Sequence, residues 1–156
     1  MGENLPSEKI TLPKESTLGA NHTLHHNGLE VDVYKLVHAT QEIPVVVVPI
    51  EKYTDDLNDQ CWTDDQGKRV SPNEVIEAYR IAGDAESAIA ARPELSQHIR
   101  KIDTSDYSFP VLVFESKVID GMHRLAKAVM ERQTSIKVKL IGEMPEEVII
   151  SSHDAQ

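Results

Sequence analysis

The sequence predicts a single α/β (α+β) domain, a small mixed β-sheet flanked by helices. Three observations predict it. Four short runs of apolar and β-branched residues, at 44–50, 109–114, 117–119 and 136–140, read as strands. The segments between them carry apolar residues at helical spacing, with no internal repeat or low-complexity run. A chain of 156 residues, 40% hydrophobic and 27% charged, is long enough to bury one core. The expected organisation is a flexible N-terminal segment over 1–28, one domain over 29–150 and a tail over 151–156.

Each element has its own signal. The first 27 residues show no periodicity and carry Pro6, Pro13 and Gly19, so they should add little to the core. Asp32 caps a short helix with Val33, Leu36 and Val37 at i, i+3 and i+4, ending near Thr40. The run Pro44-Val45-Val46-Val47-Val48-Pro49-Ile50 is expected to be a buried, central strand. Residues 53–69 are acidic and polar, and read as an ordered loop with a turn at Gln66-Gly67. Ser71, Pro72 and Glu74 supply the cap, first position and capping-box acid of a helix that Gly83 stops. A second helical stretch over 85–91 precedes a third opened by Pro93, with Leu95, Ile99 and Ile102 on one face. This helical middle should cover one side of the sheet. After strand 109–114, Glu115-Ser116 turn the chain into strand 117–119, and a helix follows from about Gly121 to Glu131 with Leu125, Ala128 and Val129 inward. Residues 136–140 alternate as a half-buried strand, and Val148, Ile149 and Ile150 add an edge strand.

Composition excludes several function classes. No stretch approaches the roughly 20 apolar residues of a membrane span, and residues 1–14 lack the apolar core of a secretion signal. A cytoplasmic protein with no membrane partner is expected. The lone Cys61 has no partner for a disulfide and no companion at zinc-ligand spacing, and reads as a small buried hydrophobe. The formal charge of −10, from 16 Lys and Arg against 26 Asp and Glu, disfavours duplex nucleic acid, whose phosphates must be offset by cations. A local basic pocket survives in an acidic protein, because a recessed site feels its neighbours more than the screened net charge. Small phosphorylated ligands therefore stay open.

The chemistry concentrates at Asp120-Gly121-Met122-His123-Arg124. His123, Arg124 and Lys127 place three groups able to carry positive charge in the first turns of a helix, where the macrodipole disfavours cations. A bound anion reverses that penalty. The N–H groups of the helix start, with Arg124 and Lys127 at i, i+3 and His123 and Lys127 at i, i+4, describe a phosphate site. Gly121 would let the ligand approach the backbone closely. Asp120 has two readings, a plain N-cap or a carboxylate acting as general base or magnesium ligand beside the phosphates. Taken singly, His123 reads as a packed or solvated histidine, and Arg124 and Lys127 as surface cations.

Residues 109–113, the segment Val118-Ile119-Asp120-Gly121-Met122-His123-Arg124-Leu125-Ala126-Lys127-Ala128 and residues 136–140 together resemble the ParB/sulfiredoxin superfamily. The likeness is to its Asp-Gly-x-His-Arg branch of small ParB-like proteins, which includes free-serine kinases and ParB-like nucleases. It covers residues 95–141 well and 43–62 faintly, and His98, Arg100, Ile102 and Asp106 match a His-x-Arg-x-Ile segment of one bacterial subgroup. The resemblance implies a small mixed sheet with nucleotide phosphates held at the turn by Gly121, Met122, His123, Arg124 and Lys127. It implies ATP or ADP and Mg2+ as cofactors, with Asp120 as the metal residue. Two departures narrow it. Met122 stands where sulfiredoxins carry their reactive cysteine, and a thioether cannot be that nucleophile. The chain also lacks the second arginine of the Gly-Glu-Arg-Arg motif of partition proteins, and the length for their helix-turn-helix domain.

A kinase-like reading needs an acid near the end of the first strand to take the substrate's proton. Asp59, in Leu57-Asn58-Asp59-Gln60-Cys61-Trp62, is the candidate, with Glu51, Asp55 and Asp56 competing. The expected function is thus a nucleotide-binding phosphotransferase acting on a small hydroxyl-bearing substrate, with Asp120, Asp59 and His123 catalytic. The alternatives are a ParB-like metal-dependent nuclease and a non-catalytic nucleotide-binding or inhibitor module. On this reading Arg124 touches the ligand, and its loss should spare the fold. Two weaker signals remain: His22, His25 and His26 could meet a metal on a helix face or form a polar tail, and Trp62 could stack on a nucleobase or pack on the sheet.

Overall fold

The computed structural model describes residues 23–26 and 28–152. In chain order the strands are β1 (Thr23–His26), β2 (Leu29–Asp32), β3 (Val46–Pro49), β4 (Trp62–Thr63), β5 (Arg69–Val70), β6 (Val111–Phe114), β7 (Lys117–Asp120), β8 (Ser135–Ile141) and β9 (Ile149–Ser152). The helices are α1 (Val33–Ala39), α2 (Pro72–Ala82), α3 (Ala85–Ala91), α4 (Ser96–Thr104) and α5 (Met122–Met130), joined by short 3-10 turns. The fold is mixed α/β.

Hydrophobic alternation decides how the strands sit. In β8, Ile136 and Val138 are buried while Ser135 and Lys137 are exposed, so one of its edges of side chains faces a core. All four residues of β6 are buried, as a strand covered on both faces requires. These two strands lie side by side and parallel at the centre of a four-stranded sheet of order β3-β8-β6-β7, with β3 and β7 antiparallel at the edges. Val111 and Val113 of β6 join Ile136, Val138, Leu125, Leu95, Ile99 and Ile102 in the larger core under α2 to α5. Leu112 and Phe114 point the other way, into a smaller core with Val31, Leu36 and Val148 beneath α1 and the three-stranded sheet β1-β2-β9. The helical middle covers one side of the sheet, as its periodicity indicates.

The local signals explain the helix ends. Asp32 accepts from the Lys35 N–H and starts α1; Ser71 and Glu74 form a full capping box on α2, which Gly83 ends with φ +93°. Glu115 and Ser116 both take positive φ, 53° and 68°, closing the β6–β7 hairpin with a two-residue left-handed turn.

Four expectations need correction. The valine-rich strand 44–50 is shorter and is an edge, not the centre: β3 pairs only with β8, and Val45, Val46 and Val47 are 46%, 37% and 64% exposed. Pro44 and Pro49 have no N–H to donate, which suits a strand paired on one side. The N-terminal segment is not loose to residue 28, because Thr23–His26 pair with Leu29–Asp32 as β1 and β2; residues 1–22 and 27, His22 included, lie outside the described residues. The tail does not begin at 151, since β9 continues to Ser152 and pairs with β2. The loop 53–69 contains a small hairpin, β4–β5, turning at Gly67 with φ +85°.

The left-handed turn yields a stability prediction. Ser116 holds a conformation that costs an L-residue about 1–2 kcal/mol and glycine far less. Ser116→Gly should raise unfolding stability in urea by about 0.5–1 kcal/mol, part of the gain being offset by the greater freedom of glycine in the unfolded chain.

Candidate functional site

The site forms where β7 hands over to α5. A register shift in the β6–β7 pairing, between Leu112 and Val113, leaves Ile119 without a directly paired partner and re-aims the end of β7. Asp120 and Arg124 then form a buried ion pair, Nη2 to Oδ2 at 2.9 Å, with side chains 8% and 3% exposed. Arg124 also donates through Nη1 to the Pro110 carbonyl at 3.0 Å. Gly121 sits between them at φ +99°, and a Cβ there would lie 2.8 Å from Val111 and 3.0 Å from the Arg124 guanidinium. Its missing side chain makes room for protein, not for a ligand. Gly121 is also the N-cap of α5, so no side chain caps this helix start.

One residue before Arg124, α5 turns His123 toward α4. His123 Nε2 meets His98 Nδ1 at 3.0 Å, and His98 Nε2 meets the Thr63 carbonyl at 2.9 Å. Trp62 stacks on both rings, its centroid 4.1 Å from His123 and 4.5 Å from His98, with planes within 9°. The indole thus lies flat over two imidazoles joined edge to edge. Burial holds the His98 imidazole below its ordinary value of 6.5, with Lys101 adding to the effect against a partial offset from the Thr63 hydrogen bond. His98 is therefore neutral near neutral pH.

These groups line a cavity of about 560 Å³. Arg69 and Lys101 enter its wall together with His25, His26, His98 and His123, and the β1 strand closes one side. Asp120 is the one carboxylate among the lining residues, and Arg124 neutralises it. Arg69 is positioned by donating to the Gln60 carbonyl, and the Lys101 ammonium makes no ion pair with another described residue. His26 donates toward Glu115 at 3.0 Å, tying β1 to the β6–β7 turn. Besides the Asp120–Arg124 pair, two cationic side chains, Arg69 and Lys101, thus enter the wall of one recess in a chain of formal charge −10. Comparison with protein-family models, curated proteins and solved structures gave no match.

Several expected site residues are elsewhere. Asp120, Gly121, Met122, His123 and Arg124 line the cavity, but Asp120 is no N-cap and Arg124 is committed to protein. Lys127 is turned away and donates to the Asp103 and Ser105 carbonyls at the end of α4, at 2.8 and 3.0 Å. The geometry thus splits the expected trio: His123 goes to α4, Arg124 to β6 and β7, and Lys127 to the α4 C-terminus. Asp59 is exposed, lies outside the cavity lining and pairs with Lys117 at 3.3 Å; Asp56 is buried and accepts from the Val118 N–H at 2.9 Å. One oxygen of the Asp120 carboxylate, Oδ2, is held by Arg124, a cation that opposes a magnesium ion at the same group. Among the described residues no group of three or more His, Cys, Asp or Glu side chains is placed to hold a metal. Cys61 is exposed rather than buried; partial desolvation, with Asp59 and Asp56 nearby, pushes its thiol up to about 11, so it is no thiolate. His25 and His26 stand on strand β1 and not on a helix, and His22, the third member of the expected group, lies outside the described residues. Trp62 stacks on the two histidines and also belongs to the larger core with the sheet residues Val111, Val113 and Val118, as the packing reading expects.

The site residues that sequence reasoning missed are Arg69, Lys101 and the His98–Thr63 link. His98 carried a signal as the first residue of the His-x-Arg-x-Ile segment, but its partners lie 25 and 35 positions away.

Two predictions follow from this geometry. Arg124→Ala strands the buried Asp120 carboxylate and should cost about 3–5 kcal/mol of stability in a denaturant melt, with part restored by adding Asp120→Asn. Because the folded chain binds the His98 proton less readily than the unfolded chain, the stability owed to neutral His98 is complete above about 6.5 and is lost as pH falls below it. His98→Gln should therefore show a shallower decline of stability with acid over that window than the native chain.

Proposed function

We propose that the cavity binds the phosphate groups of a small ligand, and that the chain is a nucleotide-binding phosphotransferase acting on a small hydroxyl-bearing substrate. The observation that carries this reading is the placement of Arg69, Lys101 and the histidines around a recess whose one carboxylate among the described residues is paired with Arg124. Phosphoryl transfer requires charge stabilisation and positioning more than covalent help. Arg69 and Lys101 supply charge, and the start of α5, lacking a side-chain cap, adds the positive end of a helix dipole. The likeness of the Asp-Gly-Met-His-Arg run to the Asp-Gly-x-His-Arg branch of ParB-like proteins makes ATP or ADP the first nucleotides to try.

In this reading the substrate oxygen attacks the terminal phosphorus, the bond to the leaving nucleotide breaks, and the hydroxyl proton passes to His123. His123 is preferred to Asp59 because it lines the cavity, whereas Asp59 is held by Lys117 outside it. Asp120 acts on Arg124 and takes no part in proton transfer.

Calorimetric titration with ADP and ATP tests the proposal. Saturable binding is expected in the native chain, weakened roughly tenfold in Lys101→Ala and in Arg69→Ala and unchanged in Asp59→Asn. Absence of saturable binding would overturn the nucleotide reading, and binding without transfer to any hydroxyl acceptor would leave a nucleotide-binding module.

A further inference from the structure

The hydrogen bonds around His98 have a direction. A carbonyl oxygen only accepts, so the 2.9 Å contact with Thr63 places a proton on His98 Nε2. A neutral imidazole carries one proton, and His98 Nδ1 is then an acceptor. The 3.0 Å contact with His123 Nε2 must therefore be made by a proton on His123. We infer that His98 is the positioning residue for His123, fixing its proton on Nε2 and leaving its lone pair on Nδ1.

The surroundings favour this arrangement. The Trp62 indole lies flat against both rings and restrains their rotation, keeping the two nitrogens in line. His98 is 9% exposed, which disfavours the cation that would reverse the bond. The charged and titratable groups around the pair come from every neighbouring element: Asp64 and Asp65 after β4, Lys101 on α4, Arg69 on β5, His25 and His26 on β1, and the closed Asp120–Arg124 pair. A proton added to His98 would turn its Nδ1 into a donor, force His123 Nε2 to accept and move the remaining His123 proton onto Nδ1. The lone pair on Nδ1 is thus lost whichever imidazole is charged. Used as a proton acceptor, His123 rests on the phosphotransferase reading; the tautomer itself does not.

NMR on protein labelled with nitrogen-15 at histidine tests it. Above the histidine titration range the bridging proton should show its one-bond coupling to His123 Nε2 and a weaker coupling, across the hydrogen bond, to His98 Nδ1. It should be protected from water exchange in the native chain, lost from the spectrum in His98→Leu, and recovered in His98→Gln, whose amide can accept from His123 and donate to Thr63. A one-bond coupling to His98 Nδ1, or no coupling across the bond, would overturn the inference even if His98→Leu fails to fold. ADP titrated into the same samples separates the two proposals. No ADP binding with the coupling intact supports the positioning role and overturns the nucleotide reading. ADP binding without the coupling does the reverse.

Discussion

The buried pair of Asp120 and Arg124 is the constraint on which the site depends. Removing two charges from water is costly, and the cost is offset only when the geometry is good and the spare donors are used. Here the guanidinium spans from the Asp120 carboxylate to the Pro110 carbonyl, so one side chain ties the first turn of α5 to the end of β7 and the approach to β6. Asp120 ends β7 and Arg124 lies in the first turn of α5, so the pair that joins them also sets the rotation of the residue before Arg124. With Arg124 fixed inward, His123 is carried toward α4. Gly121 makes this possible, since any side chain would meet Val111 and the guanidinium.

Much of the fold was legible because it is local. The capping box of α2, the stop at Gly83, the turn at Glu115-Ser116 and the alternation of β8 each rest on residues a few positions apart. The Asp-Gly-Met-His-Arg run is equally local, and its five residues all line the recess. What it could not give was the direction of each side chain. Lys127 follows the helical spacing of a phosphate ligand, yet the carbonyls at the end of α4 take its ammonium, and that end is placed by tertiary packing. Likewise, Trp62 and His98 come together with His123 only once β4 and α4 have docked. The misplacement of β3 had a visible warning: prolines at 44 and 49 are better suited to an edge than to a centre.

Acidic residues around 55–65 are used for structure: Asp56 holds the Val118 N–H, Asp64 accepts from the N–H groups of Gln66 and Lys68, and Asp59 pairs with Lys117. Their consumption in backbone and lysine contacts leaves the recess to Arg69, Lys101 and the imidazoles. An acidic exterior around a basic recess discourages extended polyanions while a small anion close to the wall feels the nearer cations.

The three-stranded sheet beside the cavity has a topological consequence. Its middle strand, β2, is paired on one side with its sequence neighbour β1 and on the other with β9, so Leu29 meets Ser152 across most of the chain. Closing so long a loop is entropically costly, and contacts of this range form slowly. During synthesis the β1–β2 hairpin exists as an isolated pair, marginal by itself, until residues 149–152 emerge to become its third strand. The wall that β1 contributes to the recess is thus among the last parts of the molecule to be secured, and it depends on the docking of both ends of the described chain.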